Sequence, residues 1–262
     1  MIRNKSSIKE LAETIALEYV EKITPLNKIL EDEELEVFYD SYGENTFDGM
    51  TFYDNGRFYI HINTDLGNRV DSARGRFTLA HELGHYYIDS HRIGLKKGFL
   101  KPHPSKTNQK QFNQIEREAD YFASCLLMPE MRFAKDIYCK KFSIELIDFL
   151  KDQYGVSRTA CAFRFAKIGN HDIVIIYGEN GKILWKYCSE QFPYKYLLYE
   201  NKVAPNTVMG EYFTDISDSL FKKEEIWAVD IFNYVKDEDL QRKFFEHCIT
   251  YKNKALSIIW EE

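Results

Sequence analysis

The sequence predicts an α+β fold in two parts, and three observations predict it. Two aromatic, β-branched runs flank Asn55-Gly56 in GMTFYDNGRFYIHIN, the pattern of a tight hairpin. Helical periodicity then runs, with short interruptions, from about residue 70 to residue 167. Beyond Gly169-Asn170 the texture returns to strands in DIVIIYGENGKILWKYC. A soft boundary therefore falls near residue 170, dividing residues 1–170 from a smaller α+β region, 171–262.

The elements follow in order. Ser7-Ile8-Lys9-Glu10 has the form of a capping box, and Ile8, Leu11, Ile15 and Tyr19 recur at helical spacing before Pro25, which predicts a helix over about 8–22. Leu35, Val37 and Tyr39 alternate as in a strand, and the hairpin comes next. Val70, Ala73, Phe77, Ala80, Gly84 and Tyr87 form one helical stripe, with His81, Glu82 and His85 off it. In FNQIEREADYFASCLLMP, Ile115, Ala119, Phe122 and Leu126 make a second stripe that Pro129 ends. Two more helical patterns span about 131–151 and 157–167. The C-terminal region then reads as strands, a last helix or two and a final apolar run, ALSIIW.

Composition narrows the function. With 44% hydrophobic and 29% charged residues and no low-complexity tract, disordered and fibrous classes are excluded. The net charge of −6 argues against direct nucleic-acid binding through an overall electrostatic grip on phosphates. The same balance would steer the protein toward a basic partner. No apolar stretch is long enough for a signal peptide or a membrane span, so the cytoplasm is the expected compartment. Five scattered cysteines, none in a Cys-x-x-Cys pair, read as reduced thiols filling the core. The aromatic content of 15% reads as packing.

His81-Glu82-Leu83-Gly84-His85 carries the chemistry. Residues four apart share a helix face, so both imidazoles reach one ion while Glu82 stands beside the open coordination position, placed to take a proton from water there. A catalytic zinc site needs a third protein ligand, and two positions compete. His91 lies where the metzincin pattern puts its last histidine, but that pattern needs a glycine where Ile88 stands. Glu116 and Asp120, four apart on the second helix, resemble the arrangement of thermolysin-like gluzincins, in which Glu binds zinc and Asp orients a ligand histidine. Small Ala119 would let the two helices approach closely. Glu118, about 200° round the helix from Glu116, points elsewhere unless a shifted helix exchanges their roles. Two histidines and a carboxylate suit Mn2+ or Fe2+ as well as Zn2+.

RFTLAHELGHYYI (76–88) followed by EREADYFASCLLMP (116–129) resembles the ImmA/IrrE family of metallopeptidases, with VSRTACAFRFAKIG (156–169) similar to the segment that closes the family's peptidase domain. The resemblance covers about residues 8–168. It implies a zincin-like domain over 1–170: a small mixed or antiparallel sheet, a helix bearing the His-Glu-x-x-His motif and a glutamate helix. His81, His85 and Glu116 would hold zinc, Glu82 would be the catalytic base and Asp120 would support a ligand, with Glu118 and His91 as weaker alternatives. It further implies a cytoplasmic zinc-dependent endopeptidase that cleaves a helix-turn-helix transcriptional repressor in mobile-element or stress-response control. Residues 171–262 would then sense a signal or recognise substrate, although they match no sensor segment.

Two other readings compete. YGVSRTACAFRFAKIG has the form of a turn and recognition helix with a local charge of +3, as a DNA-binding regulator would have, against the plainer reading of a structural helix with a basic face. A partner or toxin-like component could retain the zinc site without turnover, but intact Glu82 argues against it, since holding zinc does not require that residue. Oxyanion donors are sought among Arg74, Tyr86, Tyr87, His91 and His103, and an edge for substrate-strand addition on the hairpin around Asn55-Gly56.

Overall fold

A computed structural model describes residues 4–100, 114–214 and 221–261. Its helices are α1 (Lys5–Leu17), α2 (Leu26–Asp32), α3 (Ala73–Tyr87), α4 (Asp89–Lys96), α5 (Gln114–Leu127), α6 (Glu130–Ile137), α7 (Ile144–Tyr154), α8 (Arg158–Ile168), α9 (Val208–Thr214) and α10 (Ala228–Ile231). Its strands are β1 (Glu36–Asp40), β2 (Gly49–Asp54), β3 (Arg57–Asn63), β4 (Ile173–Glu179), β5 (Lys182–Cys188), β6 (Phe221–Trp227), β7 (Lys243–Tyr251) and β8 (Lys254–Trp260). The architecture is α+β. The chain forms two compact units, residues 1–136 with 149–160, and residues 137–148 with 161–262. No described helix is long and apolar enough to cross a membrane.

In the first unit a three-stranded sheet has the order β1-β3-β2, β1 running parallel and β2 antiparallel to β3. Asn55 and Gly56 both take positive φ, 47° and 87°, the backbone that a two-residue primed turn requires between twisted strands. One face of this sheet packs on α3. The expected amphipathic stripe on α3 is not what the fold uses: from Thr78 to Tyr86 every residue is buried, Leu83 at 0% exposure, while Val70 lies outside the helix and is exposed. α3 is an interior helix, enclosed by the sheet and by α5.

Three boundaries differ from the sequence expectation. α1 begins at Lys5 behind a left-handed Asn4, so Ser7 sits inside the first turn and caps nothing; the helix ends at Leu17. The pattern over 131–151 is two helices, because the chain turns between them at Cys139, whose φ is +55°. That cysteine is exposed, whereas Cys125, Cys161 and Cys248 are buried.

The second unit holds an antiparallel sheet in the order β5-β4-β8-β7-β6, with Asn180-Gly181 turning β4 into β5 at positive φ. ALSIIW lies in β8, at the centre of the sheet between β4 and β7. The final apolar run is thus a strand, and because it is buried on both faces it shows no alternation. On one side of the sheet Phe192, Tyr194, Phe232 and Phe244 build an aromatic core. On the other, Phe142 packs against Phe165 and Trp260.

Glu246 of β7 is fully buried and ties α9 to this sheet. Its carboxylate accepts from the Val208 amide at 2.6 Å, the Met209 amide at 3.3 Å and the Ser257 hydroxyl at 2.6 Å. Burial pushes its pKa up, against the three donors that favour the charged form. Glu246→Leu strands these donors without water, so we expect a loss of roughly 2–4 kcal/mol in chemical denaturation.

Candidate metal centre

α3 begins with a Ser72 cap, whose hydroxyl accepts from the Gly75 amide at 2.9 Å, and ends at Ile88 in extended conformation. Between these ends His81, Glu82 and His85 are all buried. The two histidines turn their Nε2 atoms toward each other, 3.1 Å apart. α5 brings Glu116 to the same point, one carboxylate oxygen 3.3 Å from His81 Nε2 and the other 3.5 Å from His85 Nε2. The helices meet this closely because Gly84 faces Ala119: a Cβ at position 84 would lie 3.1 Å from the Ala119 Cα.

The donor set suits a divalent metal. Ligand atoms of His81, His85 and Glu116 all lie within 4.8 Å of one another. Tetrahedral zinc with bonds of about 2.0–2.1 Å separates its ligands by about 3.4 Å, close to the spacings here. Asp120, one turn after Glu116, lies 2.9 Å from His81 Nδ1. Accepting the Nδ1 proton there leaves the Nε2 lone pair directed at the ion. Burial would lower the pKa of His81, but the carboxylates of Asp120, Glu116 and Glu82 outweigh it and hold the metal-free imidazole well above its usual range. His85 goes the other way, to about 3, because burial outweighs its contact with Glu116 and the neighbouring His81 opposes a second positive charge.

His91 does not join this group. Because the helix stops at Ile88 without the glycine turn, His91 rides on α4 and is buried at 1% exposure. Its Nε2 is 3.1 Å from Glu118 Oε2, and its ring packs 5.2 Å from that of His85. Glu118 is likewise buried, on a different face of α5 from Glu116, and accepts from Gln114 at 2.6 Å. The two weaker ligand candidates therefore pair with each other beside His85.

Glu82 is 1% exposed, and β2 shapes its surroundings. The Thr51 hydroxyl lies 2.8 Å from Glu82 Oε2, to which it donates, and 3.0 Å from the Glu82 carbonyl oxygen. At Gly49 an added Cβ would come within 2.6 Å of Glu82 Oε1 and 2.8 Å of its Cγ. Neither residue was singled out in the sequence, because both lie some thirty positions before Glu82 and no local pattern links them. The supposed oxyanion donors are engaged elsewhere: Arg74 pairs with Asp48, Tyr86 donates to Glu33, Tyr87 stacks on Phe122 and His91 meets Glu118. His103 lies outside the described residues.

Comparison with known proteins agrees with this geometry. Residues 30–166, just over half of the chain, match the family model of the IrrE N-terminal-like domain, Peptidase_M78. That span includes the small sheet and both ligand helices, and its fold is zincin-like. A Mycobacterium tuberculosis transcriptional regulator shares the fold, with a TM-score of 0.61 and 14% identity over 97% of this chain and 76% of that one. No curated protein matches the chain.

His81→Ala and Glu116→Ala should each abolish stoichiometric zinc uptake in chelator competition, and Asp120→Ala should weaken it by about 10–100-fold. Zinc must displace the proton that Asp120 and Glu116 hold on His81, so affinity should fall as pH falls. An affinity that stays constant between about pH 6 and 8 would contradict His81 as a ligand.

Proposed function

Because the chain belongs to the Peptidase_M78 family of IrrE N-terminal-like domains, we propose that it is a zinc-dependent endopeptidase acting on a helix-turn-helix transcriptional repressor. The observation that carries the peptidase reading is Glu82: a buried carboxylate held by Thr51, one residue from His81 and within a turn of His85. A divalent ion held by His81, His85 and Glu116 would supply Lewis acidity, polarising a scissile carbonyl and lowering the pKa of water at the open position. Glu82 accepts the proton of the attacking water and passes it to the leaving amine. The Thr51 hydroxyl fixes the carboxylate rotamer, and the absent side chain at Gly49 leaves that carboxylate its space.

Of the two hairpin strands, β3 is paired on both sides and cannot receive an added strand. The edge beside Glu82 belongs to β2, which among the described residues pairs with β3 alone. The Asn63 amide donates to the Asp48 carbonyl at 2.9 Å, so alternation turns the amides and carbonyls of Gly49, Thr51 and Tyr53 to the open side. An extended peptide added there would pass the Glu82 carboxylate.

The DNA-binding reading draws less support. Arg164, part of the +3 segment, is 1% exposed, and Phe163 of the same helix packs on Trp185 and Tyr187.

The test is cleavage by the zinc-loaded protein of the repressor encoded beside it. Glu82→Gln should keep zinc and lose about 10²–10⁴-fold in rate. Cleavage by that variant, or by neither protein at stoichiometric enzyme, would sink the assignment. Gly49→Ala should also retain zinc while displacing Glu82. Thr51→Val should lower kcat about tenfold, equivalent to one hydrogen bond to a charged group, with Thr51→Ser recovering most of it.

A further inference from the structure

The outer face of the small sheet turns away from α3 and carries a different chemistry. Strand alternation and cross-strand register lay it out in two rows: Glu36, Tyr59 and Phe52, then Phe38, His61 and Met50. The rings touch along and across these rows. Phe52 stacks on Tyr59 at 5.4 Å and meets His61 at 5.1 Å, and Phe38 lies 5.1 Å from His61. The Tyr42 hydroxyl bonds to His61 Nδ1 and holds that ring in place. Phe38 remains 43% exposed, and the other aromatic rings of the rows are half-buried among themselves. Burial lowers the pKa of His61, so the ring adds no positive charge at neutral pH.

The exposed charge on this face is mainly negative. The segment that carries the face, residues 31–65, holds ten carboxylates and one cation, Arg57, although Asp48 is buried against Arg74 and Glu33 accepts from Tyr86. Glu36, Asp40 and Asp54 stand exposed on the strands that carry the rings. Of these, Glu36 has Arg57 at 3.8 Å, both side chains largely in solvent, which contributes little. Phosphate would be repelled here, which disfavours a nucleic acid stacking its bases on the rings. Guanidinium and ammonium groups would be attracted twice, by the carboxylates over distance and by the ring faces at contact.

We propose that this outer face docks an arginine- and lysine-rich segment of a protein partner. The inference rests on the peptidase reading only in taking that partner to be its substrate. A strand added to the β2 edge would project every second side chain onto the side of Met50 and Phe52, beside Asp54.

The probe is a short fluorescein-labelled peptide of alternating arginine and serine, with the corresponding glutamate peptide as control. Binding is read by anisotropy on the zinc-loaded Glu82→Gln chain, so that it does not depend on turnover. The arginine peptide should bind, weaken with added salt, and lose about tenfold in affinity on joint Phe38→Ser and Phe52→Ser substitution. Asp40→Asn with Asp54→Asn should reduce the salt dependence. Equal binding of the glutamate peptide, or affinity unchanged by all four substitutions, overturns the proposal. So does oligothymidylate binding, or a self-association, that the same substitutions abolish. Should the serine variants fail to fold, hydrogen exchange on the unsubstituted protein decides: the peptide must protect residues 36–40 and 50–61, and protection elsewhere alone overturns the proposal. Peptide binding without repressor cleavage would sink the peptidase reading and leave the docking face standing; cleavage without binding would do the reverse.

Discussion

Gly84 against Ala119 is the contact on which the rest of the candidate site depends. Two histidines on one helix and a glutamate on another share an ion only if their backbones come within a few ångströms, and a larger side chain at either position would hold them apart. Once α3 and α5 are that close, the four-residue period of each helix does the remaining work. It places His81 over His85 and Glu116 beneath Asp120, so that one crossing gathers three groups able to hold a metal and sets a carboxylate against one of them.

The enclosure of α3 follows from the same crossing. A helix bearing a carboxylate and two imidazoles would ordinarily turn them to water. Here the sheet covers one side and α5 another, and the polar groups are retained because each meets a partner of matching chemistry: Asp120 for His81, Glu116 for both imidazoles, Thr51 for Glu82. The opposed pKa directions of His81 and His85 express this crowding, since a buried pair with Nε2 atoms 3.1 Å apart does not hold two positive charges.

Much of this was legible in advance, for identifiable reasons. Asn55-Gly56 announced its hairpin because the primed turn demands positive φ at both positions. One-turn spacing on α3 and the family resemblance together pointed to His81, His85 and Glu116, whose ligand atoms the structure brings within 4.8 Å of one another. Thr51 and Gly49 were not, since strand residues that touch a helix thirty positions later leave no periodic trace. The pairing of His91 with Glu118 was hidden similarly: it depends on the chain resuming as α4 after Ile88, which brings a histidine to the far side of α5's ligand face. α3 misled because amphipathic stripes describe surface helices, and a helix buried on all sides has no stripe to find.

β2 has one further consequence. Its odd positions, Gly49 and Thr51, lie against Glu82, while its even positions, Met50 and Phe52, face outward with the rings of β3. A period of two thus separates Gly49 and Thr51, where a change disturbs the carboxylate, from Met50 and Phe52, where a change alters the outer face. Mutation can therefore explore new outward surfaces on this strand one residue away from the site while leaving its inner face untouched. Divergence among relatives should accordingly alternate along β2, with variable residues set between invariant ones.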